Sequence, residues 1–219
     1  MTQNQYFSEL ALRLRQVGFT ALPQENGLLP VEWDGRPLCL ITSDGSVRYR
    51  PEDIEGPDRE LACQRAIDQA AITAEYVDLM AEAPELKADG LGDGYQLLAD
   101  FNGAVLAGHP TRYGTQFVTW VWDYGHRGLS HGHYYEGDFQ LAKQDFAVRS
   151  GLISRAQLFT PEELTELYRA TDFLLDEGPE PGVERLKAIQ EARTKIEYTV
   201  PDLQSRLEQI QEQGPQMDM

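Results

Sequence analysis

The sequence is short of cysteine, of positive charge and of long apolar runs, and each shortage excludes something. Its two cysteines, Cys39 and Cys63, are far apart in a chain of 219 residues. Their spacing fits neither a zinc module nor a Cys-x-x-Cys redox pair, and both stand in apolar contexts, so buried free thiols are expected. The longest apolar runs are a handful of residues, against the ~20 that a membrane-spanning helix needs. The opening MTQNQYFSEL has no basic n-region and no apolar h-region, so no secretory signal is read there and a cytoplasmic location is expected. Lysine and arginine total 19 against 36 aspartates and glutamates, a formal net charge of −17. So negative a chain repels phosphate, which argues against direct binding to nucleic acid or to an anionic membrane. Nucleotide and hydrolase signatures are missing too: there is no G-x-G-x-x-G, no GxxxxGK[ST] and no G-x-S-x-G, and no cofactor is expected. The nearest thing to a phosphate loop, GLGDG at 90–94, follows a helix and is flanked by Asp89 and Asp93, so it reads as a linker.

What is present is enough to fold. Hydrophobic residues make up 41% and aromatic residues 10% of the chain, more than a disordered sequence of this charge would carry. The acidity is segregated. Residues 51–100 hold 13 acidic and 3 basic side chains, and residues 160–219 hold 14 and 6, whereas 1–50 balance at 5 and 5 and 101–159 hold 4 and 5. Two acidic blocks therefore flank a neutral centre, which suits either solubility or attraction to a basic protein surface.

Periodicity gives an α+β reading. Phe7, Leu10, Leu14 and Val17 fall on one face of a helix from about Gln5 to Val17, ended by Gly18. Leu29–Trp33, Pro37–Thr42 and Val47–Arg50 form a three-stranded meander, turned at Asp34-Gly35 and Asp44-Gly45. A second helix runs from about Pro57 to Ala83, with Leu61, Ile67, Ala71, Ala74 and Leu79 as its buried side. After Gly94 a small antiparallel sheet opens: Tyr95–Phe101, a hairpin at Asn102-Gly103, Ala104–Ala107, then Thr115–Asp123, apolar on both faces and hence central, and a strand near His133–Tyr135. A helix follows from Asp138, with Phe139, Ala142 and Phe146 inward. Another starts at Thr160-Pro161 with Glu163 completing a capping box, its buried side being Leu164, Leu167, Tyr168 and Leu174 or Leu175. Helices at 183–198 and 202–213 complete the chain. The expected organisation is an N-terminal helix–meander–helix unit (1–89), a central antiparallel sheet with helices (94–177), a C-terminal helical extension (182–213) and a disordered tail (214–219).

Three of the four histidines, His126, His131 and His133, fall within eight residues. On a strand, His131 and His133 would share a face, and with His109 or Asp123 as a third ligand they could hold a transition metal. Polar loop residues making hydrogen bonds are the plainer reading, because no HExxH, CxxC or two-carboxylate spacing accompanies the pair. Aromatic residues crowd the same stretch. Most suit a sheet core, and Tyr124 and Arg127 are the best candidates for an exposed docking loop at 124–135.

The runs DGYQLLADFNGAVLAGH, FVTWVWDYGHRGLSHGHYYEGDFQLAKQDFAVRSGLI and LFTPEELTELYRA, with LPVEWDGRPLCLITSDGSVRYRPEDI before them, resemble a family of uncharacterised proteins encoded on integrative and conjugative elements of gut Firmicutes. The likeness covers about residues 8–200. It carries over no catalytic residues. What it implies is context: accessory proteins of such elements often shield incoming DNA from restriction or CRISPR defence, and many such inhibitors are small acidic proteins that occupy a nuclease's DNA-binding surface. The leading expectation is a non-enzymatic anti-defence protein that binds a basic nucleic-acid-handling protein. Its contacts would be Glu75, Asp78, Glu82, Glu85 and Asp89 on the second helix and Glu162, Glu163 and Glu166 on the later one. The alternatives are a metal-dependent enzyme using His131 and His133, or an interaction subunit of an element-encoded complex docking through Tyr124 and Arg127.

Overall fold

A computed structural model describes residues 3–176, 178 and 181–212; the tail expected to be disordered lies outside them. The fold is α+β. One compact unit extends to Ile153 and a second begins at Ser154, and each is taken by itself.

In the first unit, α1 (Gln3–Gln16) buries Phe7, Leu10 and Leu14, as its spacing predicts, together with Tyr6, while Val17 lies past its end and is half-buried; Gly18 follows at φ +91. The meander gains a strand too short to show in a periodicity: β1 (Thr20–Ala21) pairs with β2 (Leu28–Trp33), which pairs with β3 (Arg36–Thr42) and then β4 (Val47–Arg48), all antiparallel. Asp34 and Gly35 both take positive φ, 52 and 68, the two-residue turn whose twist suits a hairpin.

Helix α2 (Pro57–Glu82) buries Arg59, Ala62, Cys63, Ala66, Ala70, Thr73 and Tyr76. Of the expected stripe, Ile67 and Ala74 pack against the core, but Leu61 and Leu79 are exposed, 43% and 40%, and Ala71 is exposed as well. The reason is size. Five of the seven buried residues are Ala, Cys or Thr, which admit close packing against α1 and the first sheet but contribute little to a hydrophobic periodicity. Cys39 and Cys63 are both free and buried. Burial, with Cys63 nearby, pushes the Cys39 thiol up to about 12, so the nucleophilic thiolate is scarce. The native protein is expected to give no prompt reaction with a thiol-specific disulfide reagent and two equivalents after denaturation; a prompt native equivalent would contradict the burial.

The second sheet runs β5 (Gln96–Phe101), β6 (Ala104–Thr111), β7 (Gly114–Trp122), β8 (Leu129–Tyr135) in spatial order, all antiparallel. β7 is central and covered on both faces, as its two apolar faces require. On one face Phe117 packs in a cluster with Tyr76 of α2 and with Phe139, Ala142 and Phe146 of α3 (Phe139–Arg149). On the other, Val118 and Trp120 pack with Leu86, joined by Leu91 and Tyr95. The stretch read as a linker thus belongs to a strap: Leu86 N–H donates to the Tyr95 carbonyl at 2.8 Å and Asp89 N–H to the Arg127 carbonyl at 2.6 Å. A boundary near residue 90 does not appear, because Tyr76 carries α2 into the core of the second sheet.

In the second unit, α4 (Pro161–Asp176), α5 (Val183–Thr199) and α6 (Leu203–Glu212) meet around Tyr168, Ile196, Val200 and Leu203. The capping box forms: Glu163 N–H donates to Thr160 Oγ1 at 3.2 Å and Thr160 N–H to Glu163 Oε2 at 2.8 Å. Leu164 and Tyr168 turn inward, but Leu167 and Leu174 are exposed at 45% and 40%. Three short helices make a small core, and part of the apolar face of α4 stays uncovered.

Candidate functional site

The acidic candidates fall on two surfaces, one in each unit. Glu75, Asp78 and Glu82 stand at i, i+3 and i+7 on the exposed side of α2, three carboxylates along about 10 Å of helix. Glu85 and Asp89 do not continue that helix. Pro84 follows the extended Ala83 cap, and both carboxylates lie on the strap. Several are already engaged: Glu75 accepts from Lys143 Nζ at 2.8 Å, Glu85 lies 3.7 Å from Lys87, and Asp89 lies 3.5 Å from Arg127. Asp78 and Glu82 have no side-chain partner among the described residues. All of these pairs are exposed and worth little individually.

In the second unit, Glu162, Glu163 and Glu166 line an open groove of about 500 Å³ together with Phe159 and Leu167. Phe159 is 55% exposed. Glu162 accepts from Arg206 Nη1 at 2.9 Å, and hydrogen bonds, its own backbone N–H first and then Arg206, hold its carboxyl below the usual range. Glu166 pairs with Arg169 at 2.8 Å, and Glu163 completes the cap. The result is an apolar floor with carboxylates at its edge.

The loop 123–128 is built by Asp123, whose carboxylate accepts from the Arg127 and Gly128 N–H groups at 3.0 Å each. Those bonds, Arg127 first, hold the Asp123 carboxyl low. Its oxygens are thereby committed to the turn. Tyr124 projects fully into solvent, and the ring of His126 stacks on Trp122 at 5.1 Å.

His131 and His133 are not a matched pair. Thr119 faces His133 and Val121 faces Ser130, so His131 and Gly132 together oppose Trp120 in a bulge, with His131 at φ 54. A bulge breaks the two-residue alternation on which a shared face depends. His131 Nδ1 lies 3.0 Å from Ser130 Oγ, whereas His133 Nδ1 lies 3.1 Å from Asp145 Oδ2. His109 sits against the Tyr95 ring at 4.5 Å. Among the described residues, no three His, Cys, Asp or Glu side chains are grouped to hold a metal ion.

Two polar clusters lie outside the sequence-based candidates. In one, Asp145 of α3 accepts from the Thr119 hydroxyl and from His133, while Arg149, one helical turn on, donates to Thr119 Oγ1 at 2.8 Å and to the His131 carbonyl. Burial raises the Asp145 carboxyl, but hydrogen bonds from Thr119, His133 and Tyr135 outweigh it and leave it below the usual range. An Asp that orients an exposed histidine resembles part of a general-base pair; here the same carboxylate also ties α3 to β7 and β8. In the other, Arg13 of α1 meets Glu9, Tyr76 and the backbone of the second sheet.

Comparison with protein-family models, curated proteins and solved structures finds no match.

Proposed function

We propose that this chain is a non-enzymatic acidic binding protein that occupies the basic surface of a nucleic-acid-handling protein and so blocks it, in the manner of an anti-restriction or anti-CRISPR inhibitor. The observation that carries this reading is the groove in the second unit, where Phe159 and Leu167 lie exposed beside Glu162, Glu163 and Glu166. An apolar anchor site edged with carboxylates suits a partner that offers an apolar side chain among arginines and lysines. The exposed carboxylates of α2 add a second negative surface for steering, and the net charge of −17 favours fast association with a basic partner. The inhibitory role itself rests on the family resemblance.

The test is capture on immobilised chain, eluted in rising salt, followed by affinity measurement with the partner identified. A basic nuclease or other nucleic-acid-binding protein is expected at moderate salt. Neutralising Glu75→Gln, Asp78→Asn, Glu82→Gln and Glu85→Gln together should weaken binding by about 10- to 100-fold, at roughly 0.5 kcal/mol for each exposed charge. The salt dependence should flatten with it. Unchanged affinity and an unchanged salt slope would sink the role of α2; Phe159→Ala probes the groove separately.

A further inference from the structure

We propose that the open face of the first sheet is the contact between two copies of this chain. On that face Pro30, Leu40 and Arg48 lie in register across β2, β3 and β4. They line a groove of about 370 Å³ with Leu22 of the segment after β1 and with Glu32. Leu40 is 39% exposed although it sits in the middle of the sheet, so the face is apolar at its centre and uncovered by the described residues.

Charge selects the occupant. Glu32 stands on the β2 flank of the groove, and Arg48 and Arg50 stand on the β4 flank, with Asp53 beyond them. None of these four side chains has an ion pair or hydrogen bond among the described residues. One flank is left with a net negative charge and the other with a net positive charge, with β3 between them. A twofold axis along β3 lays β2 of one copy over β4 of the other, which sets Leu40 on Leu40 and Glu32 against the arginines of its mate. Self-complementarity of this kind is what an isologous interface requires, and face-to-face sheets pack with their strands nearly aligned. The position in the chain favours it as well. Residues 1–50 are the block in which 5 acids balance 5 bases, so this face can meet its own copy without the repulsion that the acidic blocks would bring. A small ligand of one charge would leave one of the two flanks unpaired.

The experiment is sedimentation of the full chain over a dilution series, with charge-reversed variants. The wild type is expected to shift from 24.7 kDa towards twice that mass as concentration rises. Glu32→Arg alone and Arg48→Glu with Arg50→Glu should each stay monomeric, and an equimolar mixture of the two should regain the dimer. These side chains have no partner among the described residues, so the variants should keep the wild-type circular dichroism. Hydrogen exchange of the wild type gives a reading free of mutation: the amides of 28–50 should become more protected with concentration. A chain that is monomeric at every concentration overturns the proposal. So does a dimer that both variants retain, which would place the contact on another face.

Discussion

Arg13→Ala is expected to lower the free energy of unfolding by about 3–5 kcal/mol, the cost of leaving one half of a buried ion pair behind. Arg13 is 5% exposed, and all five of its N–H donors have acceptors. Nε donates to the Tyr76 hydroxyl at 3.1 Å, Nη1 to Gln16 Oε1 at 2.9 Å and to the Glu136 carbonyl at 3.5 Å, and Nη2 to Glu9 Oε1 at 2.9 Å and to the Thr115 carbonyl at 2.5 Å. Glu9 Oε1 in turn accepts from the Tyr76 hydroxyl at 2.9 Å and from Thr115 N–H at 2.7 Å. One guanidinium thus ties α1, α2 and the start of β7. Gly137 permits it: at φ +94 that residue has no Cβ where the guanidinium lies, and any Cβ there would overlap it. Burial pushes the Tyr76 phenol well above its ordinary value, with the nearby Glu9 carboxylate adding to the rise, so it stays a neutral donor. Arg13→Lys keeps the charge but has three donors on one point and cannot reach the same acceptors; most of the loss should persist. Urea unfolding followed by tryptophan fluorescence checks both variants. A loss under about 1 kcal/mol would mean that the exposed alternatives of these groups in the unfolded chain are nearly as favourable.

What the sequence conveys and what it hides divide along physical lines. Turns that need positive φ, such as Asp34-Gly35 and Asn102-Gly103, are written in residue type and stand where expected. The Thr160–Glu163 cap is equally local. The phase of α2 was hidden because its buried face is mostly alanine, cysteine and threonine, while the larger Leu61 and Leu79 lie outside it. β1 was hidden because two residues have no period. The histidine pair misled because a bulge depends on its partner strand: Gly132 lies so close to Trp120 Nε1 that a Cβ there would come within 2.6 Å. Glu75, Asp78 and Glu82 are exposed on α2, whereas Glu85 and Asp89, expected on the same helix, are exposed on the strap after it. The salt bridges of the acidic candidates do not follow from local spacing, since Glu75–Lys143 and Glu162–Arg206 join residues 68 and 44 positions apart. Asp145 and Arg149 left the best signal among the missed residues, an i, i+4 acid–base pair beside Phe146 and hence near the core.

Asp145→Asn carries the second large expectation, a loss of about 2–3 kcal/mol at pH 7 that shrinks in acid. The Asp145 and Arg149 side chains are 10% and 12% exposed and lie 3.6 Å apart, and Thr119 is fully buried. Asparagine keeps one acceptor oxygen, enough for the Thr119 and His133 bonds that share Oδ2, but replaces the other with a donor and removes the charge that faces Arg149 at 3.6 Å. The pH dependence follows from the direction of the shift. The folded carboxyl is held below its unfolded value, its burial outweighed by the Thr119, His133 and Tyr135 bonds. Its contribution is therefore complete above the unfolded pKa of about 3.9 and fades as pH falls through the lower folded value. Subtracting the variant from the wild type cancels the response of the other carboxylates to first order, so the difference in urea midpoint isolates this one. It should be complete at pH 7, still present at pH 4 and shrinking as the pH falls further, wherever the fold survives. A difference that stays constant across that range would assign the cost to lost hydrogen-bond geometry, with the charge of Asp145 contributing nothing.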